Sequence, residues 1–317
     1  MKKKKCVLLV IDSLGVGAAP DAKEYGDENA NTFSNVSKSV GPLRLPTFDK
    51  LGFGQMTDIA GVPSANFSSV VGRLAEKSLG NDSTTGHCEI AGLVTNEAFK
   101  VFPDGFPEEL ISEVESKSGH TFIGNTHASG TEIINNLGNE HLETGALILY
   151  TSGDSVFQIA AHESILSISE LYKVSEIARE VCNKFNIGRV IARPFKGKPN
   201  KFVRTYDRKD FGITPPGNTI LKHLSESGYK NFGVGKISDL FGEEFLTNSI
   251  HTEGDADGLN KLIDLLKTPQ YDFYFVNLVD LDMVYGHRED PQGYYEGLKI
   301  IDSGLQKILE QLNDDDL

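Results

Sequence analysis

The stretch Asn277-Leu278-Val279-Asp280-Leu281-Asp282-Met283-Val284-Tyr285-Gly286-His287 decides how this chain is read. Tyr274 to Val279 is an apolar, β-branched and aromatic run of the kind that fills the centre of a parallel sheet, so it predicts a buried strand. Acids appear where the run ends, and a histidine follows Asp282 by five residues. A hard carboxylate beside an imidazole suits Mn²⁺ or Zn²⁺ better than Ca²⁺, and open α/β sheets place their sites at the carboxyl ends of parallel strands. The stretch therefore predicts metal-ligand chemistry at a strand tip, carried by Asp282 and His287.

Working outward, Cys6 to Ile11 is a second continuous apolar run, and it ends in Asp12 followed by Ser13-Leu14-Gly15-Val16-Gly17. The glycines invite a dinucleotide reading. It fails because Pro20 stands where a third glycine belongs, no helix opens there and an acid precedes the glycines. Asn81-Asp82-Ser83-Thr84-Thr85-Gly86-His87 places hydroxyls where a strand turns into a helix. Two readings stay open for it: a helix N-cap, or a nucleophilic threonine activated by backbone N–H groups and a metal.

The middle of the chain changes character. Pro103-Asp104-Gly105-Phe106-Pro107 is a turn-rich entry, Ala146 to Thr151 predicts a buried strand, and Ile168 to Phe185 a helix with a Ser167/Glu170 capping box. In that helix Leu171, Val174, Ala178, Val181 and Phe185 fall on one face. Gly188 to Arg193 returns as a strand, and Pro194 to Pro199 with Asp207 to Pro216 reads as turns. The expected organisation is a core domain over 1–100 and 213–317, interrupted by an α+β insertion over 101–212. In the second core segment, Thr219 to Ser227 predicts a helix, Asn231 to Ile237 a strand and Leu259 to Leu266 a helix. Tyr294 to Leu312 predicts the last helix, with Leu298, Ile301, Leu305, Ile308 and Leu312 on one stripe.

Composition narrows the function classes. A length of 317 residues favours two domains, and a formal net charge of −14 argues against a nucleic-acid partner, which wants a basic stripe. Phosphate esters stay admissible, because divalent cations and a few arginines supply local positive charge. The three cysteines, Cys6, Cys88 and Cys182, are odd in number and form no CxxC pair, which fits a reducing cytoplasm better than a disulfide frame. No apolar stretch approaches the roughly 20 residues that span a bilayer, and the basic N-terminus leads into too few apolar residues for a signal peptide. A soluble, cytoplasmic protein without membrane contact is expected.

At this point a family resemblance carries further. The segments IDSLGVGAAPDA (Ile11–Ala22), STTGHCEIAGL (Ser83–Leu93), VFPDGFP (Val101–Pro107) and ASGTEI (Ala128–Ile133) resemble the phosphopentomutase family of the alkaline phosphatase superfamily. So do YTSGDSVFQIAAHE (Tyr150–Glu163), GRVIARPF (Gly188–Phe195), GKISDLF (Gly235–Phe241) and NLVDLDMVYGHRED (Asn277–Asp290). The resemblance implies an alkaline-phosphatase-like α/β core, a parallel-rich sheet flanked by helices, with an inserted α+β cap. It implies an isomerase of phosphotransferase type that interconverts ribose 1-phosphate and ribose 5-phosphate, and the deoxyribose pair. Two Mn²⁺ ions and a phosphothreonine primed by glucose 1,6-bisphosphate or a similar sugar bisphosphate go with that activity, and nucleoside catabolism is its setting.

Residue by residue, Thr85 resembles the phosphorylated nucleophile, and Asp12 a ligand of the metal beside it. Asp282 and His287 resemble ligands of the other metal. Asp280 either supports those ligands or closes the strand, and the first reading is preferred. Arg193 and Arg208 resemble cap residues that hold the phosphate not being transferred, Ser152 and Asp154 are candidates for the sugar hydroxyls, and Lys236 for the transferring phosphoryl group or for plain surface. His87 is a candidate to orient the nucleophile turn, and His162 falls in a family segment. His120, His127, His141, His223 and His251 read as ordinary polar or surface residues.

The chain departs from the family in two places. Cys88 stands where members commonly carry a bulky aromatic. Members also continue past the last helix into Asp-His-Gly and Asp-His-Thr-Arg-Glu segments with further metal ligands, and neither occurs here. The expectation is a core incomplete on its C-terminal side: an inactive fragment, a shortened copy of a fuller enzyme, or one half of a split enzyme whose partner is a separate C-terminal piece. A related metal-dependent phosphoglycerate mutase or phosphatase is the rival activity.

Overall fold

The computed structural model describes residues 4–80, 82–153, 155–199, 201–213 and 217–317. The strands are β1 (Cys6–Ile11), β2 (Phe122–His127), β3 (Leu147–Thr151), β4 (Val156–His162), β5 (Arg189–Lys198), β6 (Lys201–Arg204), β7 (Lys209–Gly212), β8 (Asn231–Val234), β9 (Asn248–Ile250) and β10 (Phe273–Leu278). The helices before residue 130 are α1 (Ala22–Tyr25), α2 (Thr32–Val40), α3 (Pro46–Lys50), α4 (Ser83–Ile90) and α5 (Glu108–Ser118). They continue as α6 (Gly130–Thr144), α7 (Ile168–Asn183), α8 (Ile220–Glu226), α9 (Ile237–Phe241), α10 (Asp255–Lys267) and α11 (Pro291–Leu309). Two compact units result, one from Met1–Lys77, Ile220–Ser238 and Glu243–Leu317, the other from Ser78–Thr219 with Asp239–Gly242. The second begins at Ser78, upstream of the boundary read at Val101.

In the first unit β1, β10, β8 and β9 form a wholly parallel sheet in that order. Phe273 to Leu278 shows no alternation because β10 lies between two parallel neighbours and all six of its residues are buried. Val276, Leu278 and Tyr274 meet Leu259, Leu262 and Leu266 of α10 and Leu298, Ile301 and Ile308 of α11 in one core. Each of those buried aliphatic side chains contributes about 1.5–3 kcal/mol over exposure, so the apolar stripe of α11 is what holds it to the sheet. That helix runs from Pro291 to Leu309, starting three residues before and ending three before the stretch read from the sequence. Asp290 caps it by accepting the Gly293 N–H at 2.9 Å, and Pro291 at its first turn forfeits no helical hydrogen bond.

The second unit holds a mixed six-stranded sheet in the order β2-β3-β4-β5-β6, with β7 on β5 as well. The helix expected over Ile168 to Phe185 ends two residues earlier, at Asn183, and Ser167 caps it by accepting the Glu170 N–H at 3.2 Å. Two segments read as turns are strand instead. β5 runs on through Pro194 to Lys198 and hairpins into β6, while β7 pairs antiparallel with its first half. Pro194 is tolerated because its carbonyl, the one ladder group it has, accepts the Thr205 N–H at 3.1 Å.

His141 also departs from the reading, being fully buried. Its Nδ1 meets the Ala146 carbonyl at 2.7 Å and its Nε2 accepts the His162 backbone N–H at 2.8 Å, which fixes a neutral ring protonated on Nδ1. Burial, first, holds its pKa below the ordinary imidazole range, with the nearby His162 adding to the effect against the Ala146 bond. The unfolded chain binds that proton from about pH 6.5 downward and the folded chain does not, so this contribution to stability is full above that pH and declines below it. In urea titrations the stability gap between wild type and His141→Gln should therefore narrow as pH falls from about 7 to about 5. A constant gap would show that the ring titrates alike in both states.

Candidate functional site

The carboxyl ends of the parallel strands in the first unit gather four of the residues singled out in the sequence. Asp12 follows β1, where its backbone N–H donates to the Leu278 carbonyl at 2.9 Å and so continues the ladder for one more residue. Its Oδ1 accepts the Asn277 side-chain amide at 2.8 Å, and the Lys236 ammonium stands 3.9 Å from its Oδ2. Lys236 comes just after β8, and its side chain is 20% exposed beside Asp12. Ser13, next to Asp12, sits at φ 70°, a left-handed conformation that is uncommon outside glycine and recurs where a backbone is held for function.

After β10 the chain enters a five-residue π-helical turn, Leu281–Tyr285, and then a short 3₁₀ turn, Gly286–Arg288. Single π turns of this kind are frequent at functional sites. The turn places Asp282 Oδ2 3.7 Å from His287 Nε2, both open to solvent. It lies against the Asp12 loop: a Cβ on Gly286 would come 3.3 Å from Ser13 Oγ. The Tyr294 phenol is pushed up to about 12, first by burial and then by Asp282 and Asp255 against a hydrogen bond with Ser13, so it stays a neutral donor.

Asp280 does not join the pair. Its Oδ2 accepts the Asp255 N–H at 2.7 Å, while Asp255 Oδ1 accepts the N–H groups of Val279 and Asp280 at 2.7 and 3.0 Å. This reciprocal clasp ties the start of α10 to the strand tip that carries Asp282. A carboxylate and imidazole pair beside a second carboxylate is the donor chemistry of Mn²⁺ or Zn²⁺. Among the described residues no three His, Cys, Asp or Glu side chains converge on one point, so neither Asp282 with His287 nor Asp12 forms a complete metal site by itself.

In the second unit, the segment around Thr85 is a helix N-cap, the first of the two readings left open. Asp82 is the N-cap of α4: its Oδ1 accepts the N–H groups of Thr84 and Thr85 at 2.9 and 3.1 Å. Its other oxygen accepts the Thr85 hydroxyl at 2.7 Å, and Thr85 is fully buried. The hydroxyl is thus fixed at a helix start with a carboxylate on its proton. His87 Nδ1 lies 2.8 Å from the Ser83 carbonyl, which holds the ring along α4. His162 is held at both nitrogens, by Gly197 O at 3.1 Å and the Ser164 hydroxyl at 2.7 Å, and so braces β4 to the β5–β6 hairpin.

Arg193 and Arg208 do come together, within electrostatic reach of each other and of the Tyr150 phenol. Burial, foremost, lowers Arg193 to about 10, with Arg208 next among the causes. Arg208 grips Asp210 with two bonds of 2.6 Å, and Arg189 shares the same carboxylate. Ser152 connects to this group through Gln158, whose Nε2 reaches Ser152 Oγ at 3.5 Å while its Oε1 accepts Arg193 Nε at 3.2 Å. Gln158 escaped the sequence reading, although a buried glutamine inside the apolar run of β4 was the available signal. Asp154 lies outside the described residues.

The chain matches the metalloenzyme superfamily over residues 4–317. It is 49% identical to the phosphopentomutase of Carboxydothermus hydrogenoformans over 316 residues, covering 99% of this chain and 81% of the relative. The phosphopentomutase of Thermotoga maritima is also 49% identical over 317 residues, at 99% and 81% coverage. That of Caldanaerobacter subterraneus is 47% identical over 316 residues, at 99% and 80%.

Proposed function

Because this chain belongs to the phosphopentomutase family of the metalloenzyme superfamily, we propose that it interconverts the 1- and 5-phosphates of ribose and deoxyribose through a phosphorylated Thr85. What supports the choice of nucleophile is the Thr85 hydroxyl itself, buried and bonded at 2.7 Å to the carboxylate that caps its own helix. Phosphorylated once by a sugar bisphosphate, Thr85 gives its phosphoryl group to the free hydroxyl of a pentose phosphate. The P–O bond to Thr85 breaks as the bond to the sugar oxygen forms, and the proton that the sugar hydroxyl loses goes to the departing Thr85 oxygen. The resulting pentose bisphosphate presents its other phosphate. Thr85 Oγ attacks it, Asp82 is placed to accept the Thr85 proton, and the isomeric monophosphate leaves.

Metal dependence belongs to the superfamily, and by resemblance to the family Asp12, Thr85, Asp282 and His287 would be the ligands of two Mn²⁺ ions. Bound metal supplies neutralisation of charge on the transferring phosphoryl group. Lys236, already beside Asp12, adds a fixed positive charge on that side. Ser152 and Asp154 are assigned to the sugar hydroxyls, Arg193 and Arg208 to the phosphate that stays put, by the fit of planar guanidinium to phosphate.

Phosphorus NMR of the protein with ribose 1-phosphate, Mn²⁺ and catalytic glucose 1,6-bisphosphate should show ribose 5-phosphate accumulating. Release of inorganic phosphate as the main product would make it a phosphatase and overturn the reading. Alanine at Arg193 or Arg208 should raise the KM for ribose 5-phosphate about 10-fold, as loss of a charge-assisted bond does. Unchanged kinetics in both variants would remove them from substrate binding.

A further inference from the structure

We infer that Asn277 is a positioning residue: its side-chain amide holds the Asp12 carboxylate by one oxygen and so turns the other toward Lys236. What Asp12 then does rests on the mutase reading above. Sheet register brings the two side chains together. In β10, Tyr274, Val276 and Leu278 pack into the core with α10 and α11, so Asn277, one residue out of step, stands on the opposite face of the sheet. Val10 is its partner across the parallel ladder. Asp12, two residues further along, shares that face, because its N–H still bonds to the Leu278 carbonyl and keeps it in the strand alternation. The side chains are therefore diagonal neighbours, and Asn277 Nδ2 donates to Asp12 Oδ1 at 2.8 Å.

The chemistry of that contact allows one orientation. A carboxylate only accepts, so the NH₂ end of the amide faces Asp12 and the carbonyl end is turned away. Asn277 is 1% exposed, and its side-chain oxygen is buried with no hydrogen-bond partner. An apolar residue would fill this place in a wholly buried strand without orphaning an oxygen, so packing alone does not account for an asparagine here. Asn231 in the neighbouring β8 gives the contrast. It is as fully buried, yet its amide donates to the carbonyls of Leu221 and Phe245 at 2.9 and 3.0 Å, which ties the strand to its surroundings. Asn277 gives its amide to Asp12 alone among the described residues. On the other side, Gly235 sits at φ 80°, and a Cβ there would stand 2.5 Å from the Asn277 backbone oxygen, so glycine is what lets the chain turn out of β8 at this point. Lys236 follows at once, its ammonium 3.9 Å from Asp12 Oδ2. Held by the amide at one oxygen and by the ammonium's charge at the other, Asp12 meets a cation already oriented, with little side-chain freedom left to lose.

The test uses the full chain with Asn277→Leu, which replaces the amide by an apolar group of the same branching, and Asn277→Ala, which removes it without adding bulk. Crystals of both variants grown with a chelator should show Asp12 rotated from its wild-type position or divided between conformers. In calorimetric Mn²⁺ titrations both should bind about 10- to 100-fold more weakly than wild type, the range typical of losing a group that orients a ligand. An Asp12 that keeps its single wild-type position in both variants overturns the inference, and so does wild-type Mn²⁺ affinity in both. A wild-type chain that takes up no Mn²⁺ would instead defeat the assignment of Asp12 as a metal ligand, and the position of Asp12 in the variant crystals would still decide the role of Asn277.

Discussion

Valine at position 85 should abolish phosphate incorporation from glucose 1,6-bisphosphate and lower pentose phosphate turnover by on the order of 10³-fold or more, the scale on which losing a nucleophile acts. The substitution isolates the hydroxyl. Valine matches threonine in shape, so the fully buried site stays filled. The two N–H bonds that Asp82 Oδ1 accepts from Thr84 and Thr85 involve backbone only and persist, which keeps the start of α4 in place. What disappears is the 2.7 Å bond to Asp82 Oδ2 and the oxygen that would carry the phosphoryl group. Thr84→Val is the matched control, since Thr84 is 2% exposed and equally engaged through its backbone. Asp82→Asn should keep the cap, for which asparagine is as good as aspartate, yet slow dephosphorylation of the bisphosphate, because an amide is a poor proton acceptor. Peptide mapping after incubation with the bisphosphate decides it: label on Ser83 or Thr84 with Thr85 unmodified would defeat the assignment.

How much of this was readable without coordinates depends on the range over which each signal acts. β1, β10, α7 and α11 follow from run length and 3.6-residue spacing, which are local and survive tertiary context. Asp12, Asp282 and His287 stood out because hard and borderline ligands at the end of an apolar run are rare by chance. The β5–β6 hairpin was hidden because Pro194, Gly197 and Pro199 read as breakers. Whether a proline fits a ladder depends on which of its neighbours needs the missing N–H, and only pairing partners settle that. Gln158 was hidden for a different reason. It pairs with Tyr150 on the adjacent strand and accepts from Arg193 on the next one, a meeting set by sheet order, which no local pattern encodes. Asp255 lies outside the helix read over Leu259 to Leu266, so no periodic signal marked it, though it forms the clasp on the strand tip.

That clasp supports a second large effect. Asp255→Ala should destabilise the protein by roughly 3–5 kcal/mol, since it strands the N–H groups of Val279 and Asp280 in a buried place at about 1–3 kcal/mol each and opens a small cavity. Asp255→Asn should behave differently, because its side-chain oxygen still accepts both N–H groups. Burial, above all, raises the Asp255 carboxyl to about 6, with the neighbouring Asp280 and Asp12 charges adding to the rise and the two N–H bonds opposing it. Its Oδ2 is buried without a hydrogen-bond partner, the expected state of an oxygen better suited to a carboxylic acid than to a carboxylate. Between about pH 4 and 6 the folded chain therefore keeps a proton that the unfolded chain releases, so this residue's contribution falls as pH rises through that window, by about 3 kcal/mol in all. Asparagine does not titrate. Urea unfolding of the two proteins, with divalent cations chelated, should show Asp255→Asn gaining on wild type by up to that amount from pH 4 to 7, and a parallel pair of profiles would refute the raised carboxyl. Calorimetric Mn²⁺ titration adds the functional arm. If the clasp steadies Asp282, Asp255→Ala should weaken binding by about 10- to 100-fold while Asp255→Asn holds near wild type, and equal affinity in all three proteins would confine Asp255 to stability alone.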